Sequence, residues 1–195
     1  MLFKLQTNIK RCVSLLYLVL LCTLPGGCIT TTSGGFTEDA SPEKALEKRL
    51  SLAREYLGKG NWDYAKRNLQ LAEDIDANNP EVYEAYGLLY QSTGEYELAD
   101  ESYNKAITKD NKYVSRARNN YAAFLYTQER YEDAQKQLTE VIKDTLYTAR
   151  HNAFVNLGMC QLQLFDTEGA EASFARALAM DRTNQVALVE LAQIR

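Results

Sequence analysis

PEVYEAYGLLYQSTGEYELADESYNKAI spans residues 80–107. Tyr83, Tyr86, Gly87 and Tyr90 recur at steps of three and four, which places them on one face of a helix. A short polar break around Gly94 follows. Then Ala99, Tyr103 and Ala106 trace a second apolar face at the same period. The stretch therefore predicts a helical hairpin whose two apolar faces meet. Working outward, the second-helix pattern recurs along the chain. Ala65, Ala99, Ala134 and Ala170 are spaced by 34, 35 and 36 residues. Each is preceded by Trp62, Tyr96, Tyr131 or Thr167 and followed by Leu69, Tyr103, Leu138 or Phe174. Ala72, Ala106, Val141 and Ala177 close the second face. Units then begin near residues 46, 80, 115 and 151, and a fifth begins at Gln185. A fixed period of this length marks a solenoid of stacked supersecondary units.

These residues resemble the tetratricopeptide repeat, whose first helix carries large-Leu-Gly-x-x-Tyr and whose second carries Ala, an aromatic and Ala. The resemblance implies an all-α superhelix of about four and a half repeats over residues 43–195. Small residues at unit positions eight and twenty let helices approach, and large ones at seven, eleven and twenty-four fill between them. The tyrosines are expected to be mostly core, together with Trp62. Asn120 and Asn156, at position six, are expected to bond to backbone. The fifth unit has Leu188, Leu191 and Ala192 in register and stops at Arg195 within its first helix. The expectation is a truncated form of a longer protein.

The N-terminus follows another logic. Lys4, Lys10 and Arg11 precede an apolar run from Cys12 to Leu24 and then Pro25, Gly26, Gly27 and Cys28. The run is too short to cross a ~30 Å hydrocarbon core and fits an export signal. Small residues before Cys28 resemble a bacterial lipoprotein signal, which implies cleavage after residue 27 and acylation of Cys28. The alternative is an ordinary secretory signal with Cys28 a bystander. Ile29 in the sorting position implies the outer membrane, facing the periplasm. Residues 28–42 are rich in Thr, Ser and Gly and read as a flexible tether. With Cys12 and Cys22 removed and Cys28 acylated, Cys160 is left alone, so no disulfide is expected.

Composition narrows the chemistry. The 195 residues carry net charge −4 and a single His. No basic stripe accompanies the aromatics, so nucleic acid is not the expected partner. One His and four scattered Cys do not supply the usual zinc spacing. No phosphate loop, nucleophile elbow or metalloprotease helix motif is present. His151 and Cys160 are nine residues apart on one helix and so face opposite ways. Neither enzyme activity, a cofactor nor a small-molecule substrate is expected.

In the repeat family the first helices line a concave wall, and that wall is the expected binding surface. Its position five holds Leu50, Asn119 and Val155, with Glu84 in the second unit. Position nine holds Arg54, Leu88, Ala123 and Met159. Position twelve holds Leu57, Tyr126 and Leu162. The set is mainly uncharged and predicts a groove for an apolar or amphipathic peptide. The alternative is that some of these side chains pack within the chain itself.

Residues 119–158 carry a narrower resemblance. Asn119, Asn120, Tyr121, Phe124, Leu125 and Tyr126 are followed by Arg130, Tyr131, Glu132 and Ala134, then Asp144, Thr145, Leu146 and Tyr147, then Asn156, Leu157 and Gly158. This looks like the PilF/PilW lipoproteins of type IV pilus biogenesis. The Asp-Thr-Leu-Tyr segment lies where the third unit exceeds the generic repeat length. The resemblance implies a pilotin: a non-catalytic lipoprotein that holds an outer-membrane secretin subunit and promotes ring assembly. Two alternatives stay open, a periplasmic adaptor of another envelope pathway and the repeat part of a truncated multidomain enzyme.

Overall fold

The computed structural model describes residues 41–108 and 114–194. The leader, Cys28 and nearly all of the tether lie outside the described residues. Within them every regular element is a helix: α1 (Pro42–Gly58), α2 (Trp62–Ile75), α3 (Pro80–Thr93), α4 (Tyr96–Ile107), α5 (Val114–Thr127), α6 (Tyr131–Val141), α7 (Arg150–Gln163), α8 (Thr167–Met180) and α9 (Gln185–Ile194). The tetratricopeptide hairpins expected from the period are present. The chain enters α1 at Pro42, one residue inside the stretch read as tether. Ser41 is its cap, with Oγ accepting from Lys44 N at 3.2 Å. Asn79 caps α3 in the same way, ahead of Pro80. Both starts pair a side-chain acceptor with a proline whose missing N–H leaves no orphan donor.

Each hairpin turns through one residue in the left-handed region: Gly60, Gly94, Glu129 and Phe165. The second helix then folds back on the first. Close approach depends on a matched pair of residues. Positions eight and twenty-four are Ala53 with Leu69, Gly87 with Tyr103, Ala122 with Leu138, and Gly158 with Phe174. A Cβ on Gly87 would stand 2.7 Å from the Tyr103 ring, and one on Gly158 would stand 2.7 Å from the Phe174 ring. Glycine appears where the facing residue is aromatic and alanine where it is leucine, so the smaller residue makes room for the larger partner.

Three apolar clusters run along the array. The first joins α1, α2 and α3 through Leu50, Leu69, Val82 and Leu89. The central one gathers Tyr103, Tyr121, Phe124, Leu125 and Leu138. The third holds Val155, Phe174, Ala177 and Ala187. α9 packs on α8 through Ala187, Leu191 and Ile194, while Val186, Leu188 and Val189 are exposed.

The aromatics divide more sharply than the period suggests. Tyr86, Tyr103 and Tyr121 are buried, and Tyr83, Tyr90 and Tyr131 are half-buried. Trp62 and Tyr96, expected in the core, are 37% and 45% exposed. They open their helices at the turn edge, where a side chain has a neighbour on one side only. The Asn expectation also needs correction. Asn120 and Asn156 bond to side chains of the preceding unit, Glu84 and Asn119, rather than to backbone.

Candidate functional site

The first helices touch one another in succession, α1 with α3, α3 with α5 and α5 with α7. Each second helix sits outside them, between its own first helix and the next. The first helices therefore form one continuous inner wall. Two stretches of it differ in chemistry.

The stretch from α1 to α5 is polar and self-paired. Glu84 of α3 is only 2% exposed. Arg54 Nη2 of α1 donates to Glu81 Oε2 at 3.1 Å and to Glu84 Oε2 at 3.0 Å. Arg116 Nη2 of α5 donates to the same two oxygens at 2.9 and 2.8 Å. Asn120 Nδ2 donates to Glu84 Oε1 at 2.7 Å. A buried carboxylate survives desolvation only with such partners. Burial pulls the Arg116 guanidinium down, but the facing Glu84 and Glu81 carboxylates outweigh it and its pKa lies above the usual value. Beside α1 this stretch borders an open hollow of about 630 Å³ lined by Glu43, Glu47, Leu50, Ser51, Arg54 and Glu81, among others.

Next to Arg116, Ser115 anchors the loop that carries the Asp-Thr-Leu-Tyr segment. Its Oγ donates to Asp144 Oδ2 at 2.5 Å, and Asp144 Oδ1 accepts from Leu146 N at 2.9 Å. The Ser115 bond is the main reason the Asp144 carboxyl titrates below its ordinary value. Tyr147 packs against the central cluster.

The stretch from α5 to α7 is apolar and open. Ala122, Ala123, Tyr126 and Thr127 of α5 face Asn156, Met159 and Cys160 of α7 around a depression of about 240 Å³. The Tyr126 ring lies edge-on to Tyr131 with centroids 5.2 Å apart. Its hydroxyl accepts from Gln163 Nε2 at 3.3 Å. Asn156 Nδ2 donates to Asn119 Oδ1 at 3.2 Å, which ties the two walls together. Burial pushes the Cys160 thiol up to about 12, so it stays neutral and serves as apolar lining.

The structure therefore sorts the residues chosen from sequence. Ala123, Tyr126 and Met159 meet in the depression. Leu162 packs against the third cluster, Leu57 against the first and Leu88 against the central one, each half-buried. Asn119 supports the depression through Asn156. Arg54 is engaged by Glu81 and Glu84. Val155, expected to face the groove, is buried in the third cluster, and Leu50 is 3% exposed in the first cluster while also lining the hollow beside α1. At position five the side chain points into the seam between adjacent first helices, so an apolar residue there is absorbed by the core. Sequence reasoning overlooked Glu84 as the centre of the polar stretch. The signal was present: one carboxylate at a position otherwise filled by Leu, Asn and Val, with Arg54 and Arg116 at wall positions of the units on either side.

This geometry offers a place for an apolar side chain on a wall whose other open stretch, beside α1, is lined largely by polar and charged residues. Comparison with known proteins agrees with the architecture. The tetratricopeptide repeat family matches residues 80–113 and 151–184. The type IV pilus assembly protein PilF of Pseudomonas aeruginosa is 34% identical over 169 residues, covering 86% of this chain and 67% of PilF. A solved structure of Pseudomonas aeruginosa PilF superposes with a TM-score of 0.75 at 35% identity, covering 78% of this chain and 68% of that one. The crystal structure of PilW, a widely conserved type IV pilus biogenesis factor, gives a TM-score of 0.69 at 23% identity, over 77% and 69% of the two chains.

Proposed function

For a chain that belongs to the PilF family of tetratricopeptide-repeat proteins in type IV pilus assembly, we propose the role of an outer-membrane lipoprotein that grips a secretin subunit through its inner wall. The observation that carries this reading is the open apolar depression between α5 and α7, beside a polar stretch whose charges are already paired. An apolar segment of the partner seats against Ala123, Tyr126 and Met159, with Leu88, Leu57 and Leu162 lending half-buried surface on either side. Transfer of one apolar side chain into such a site contributes about 1.5–3 kcal/mol. In this reading the wall holds the subunit without chemical change, and acyl chains on Cys28 keep the complex at the periplasmic face of the outer membrane.

Equilibrium binding to a purified secretin subunit tests the grip. Met159→Glu places a charge in the depression, where Met159 also borders the third cluster, and is expected to weaken binding at least tenfold in protein that thermal melting shows to be folded. Equal affinity for both proteins would end the proposal. Metabolic labelling with a clickable fatty acid tests the anchor, and Cys28→Ser is expected to abolish the label.

A further inference from the structure

The left-handed turn residue of each hairpin is filled differently along the array: Gly60 has φ +71°, Gly94 +81°, Glu129 +59° and Phe165 +59°. Glycine takes this conformation without steric cost, whereas a bulky aromatic there is an outlier. Phe165 receives no burial in return, being 93% exposed. Its support is firm on both sides. Phe165 N donates to Leu162 O at 3.1 Å and Asp166 N donates to Gln161 O at 2.8 Å. Asp166 then caps α8 by accepting from Gly169 N at 2.9 Å. The ring is thus held out into solvent from a pinned turn.

Its place at the turn edge differs from that of the aromatics in the other repeats. In the first three repeats the aromatic at this edge opens the second helix, as Trp62, Tyr96 and Tyr131. In the fourth that place is Thr167, and Phe165 is the aromatic instead. Tyr131 rests edge-on against Tyr126, which lines the depression. Gln163, two residues before Phe165, bonds to the Tyr126 hydroxyl. The turn that carries Phe165 is thus tied to Tyr126 in the lining of the depression.

The fold gains nothing from an exposed phenylalanine at a position suited to glycine. We infer that Phe165 is a partner contact, and that the polypeptide segment seated in the depression leaves the wall over this turn. Met159 lies within α7, four residues before its end at Gln163, and Phe165 lies in the turn beyond that end. The segment accordingly carries two apolar side chains, one for the depression and one for the turn. This inference rests on the proposed grip of a secretin subunit and adds the second anchor point.

Phe165→Gly distinguishes a binding role from a structural one, with purified secretin subunit as the probe and Met159→Glu measured alongside. The expected result for Phe165→Gly is a melting temperature at or above that of the unmodified protein, with about tenfold weaker binding. Unchanged affinity in Phe165→Gly, with binding lost in Met159→Glu, overturns the inference and leaves the proposed function standing. A lowered melting temperature in Phe165→Gly with unchanged affinity overturns it too, because the ring would then serve the fold. Unchanged binding in both variants removes the proposed function and this contact with it.

Discussion

The two stretches of the inner wall are built from the same helices at the same register, yet they solve opposite problems. Between α1 and α5 the wall carries charge and uses it up internally. Arg54 and Arg116 both clamp Glu84, so that a buried carboxylate spans three repeats. Between α5 and α7 the wall is apolar, and its residues leave space rather than closing it. A paired ionic cluster fixes the relation of neighbouring repeats and has little left to give a ligand. An unfilled apolar depression adds little to folding and keeps its gain for a partner. The lesson is that groove position alone does not make a binding residue; what matters is whether its interactions are already spent within the chain.

The largest test of this contrast is at alkaline pH. Burial raises the Cys160 thiol to about 12, and burial followed by the Asp100 carboxylate raises the Tyr121 hydroxyl to about 12. Tyr86 and Tyr103 are pushed higher still, again chiefly by burial. In the unfolded chain these groups ionise near about 8.5 for Cys and about 10 for Tyr. Stability from the protonated forms is thus fully present below about pH 8.5 and is lost as pH rises through the folded values. Circular dichroism should show the helices melting by about pH 12. A helical signal constant from pH 8 to 12 would contradict the core described here.

Next in size is Glu84→Ala, which removes the buried one of the two carboxylates that Arg54 and Arg116 share and leaves both with Glu81. Both guanidiniums are one-third exposed, which limits the penalty to about 2–3 kcal/mol. Met159→Ala, on the other stretch, is expected to cost no more than about 1 kcal/mol. Urea titration of the two variants compares the stretches directly. Equal losses would erase the distinction between a wall that supports the fold and one that awaits a partner.

An effect smaller than that of Glu84→Ala lies behind the depression. Gly158→Ala forces a Cβ against the Phe174 ring and is expected to cost about 1–2 kcal/mol. Adding Phe174→Leu recreates the Ala122–Leu138 pairing and should recover part of the loss. Additive losses in the double variant would show that the pair is not matched by volume.

Much of this was legible before any coordinates. The hairpin pattern and the repeat spacing follow from local periodicity. Ala123, Tyr126 and Met159 were found by position because their wall slots open onto space. Leu50 and Val155 were misplaced because the same numbering does not say how closely the next repeat leans over a slot. Trp62 and Tyr96 were misplaced because period cannot tell the core side of a helix start from its edge.

The sequence by itself determined helices, their pairing within each hairpin and the family to which the array belongs. These depend on contacts between residues close along the chain, which a helical period encodes. Only the tertiary structure decided that Arg54, Glu84 and Arg116 meet, that a depression opens one repeat further on, and that Phe165 stands clear of the core. Each of those outcomes depends on the small rotation between successive repeats. That rotation is set by the summed packing of three helices at a time, and no single stretch of sequence contains it.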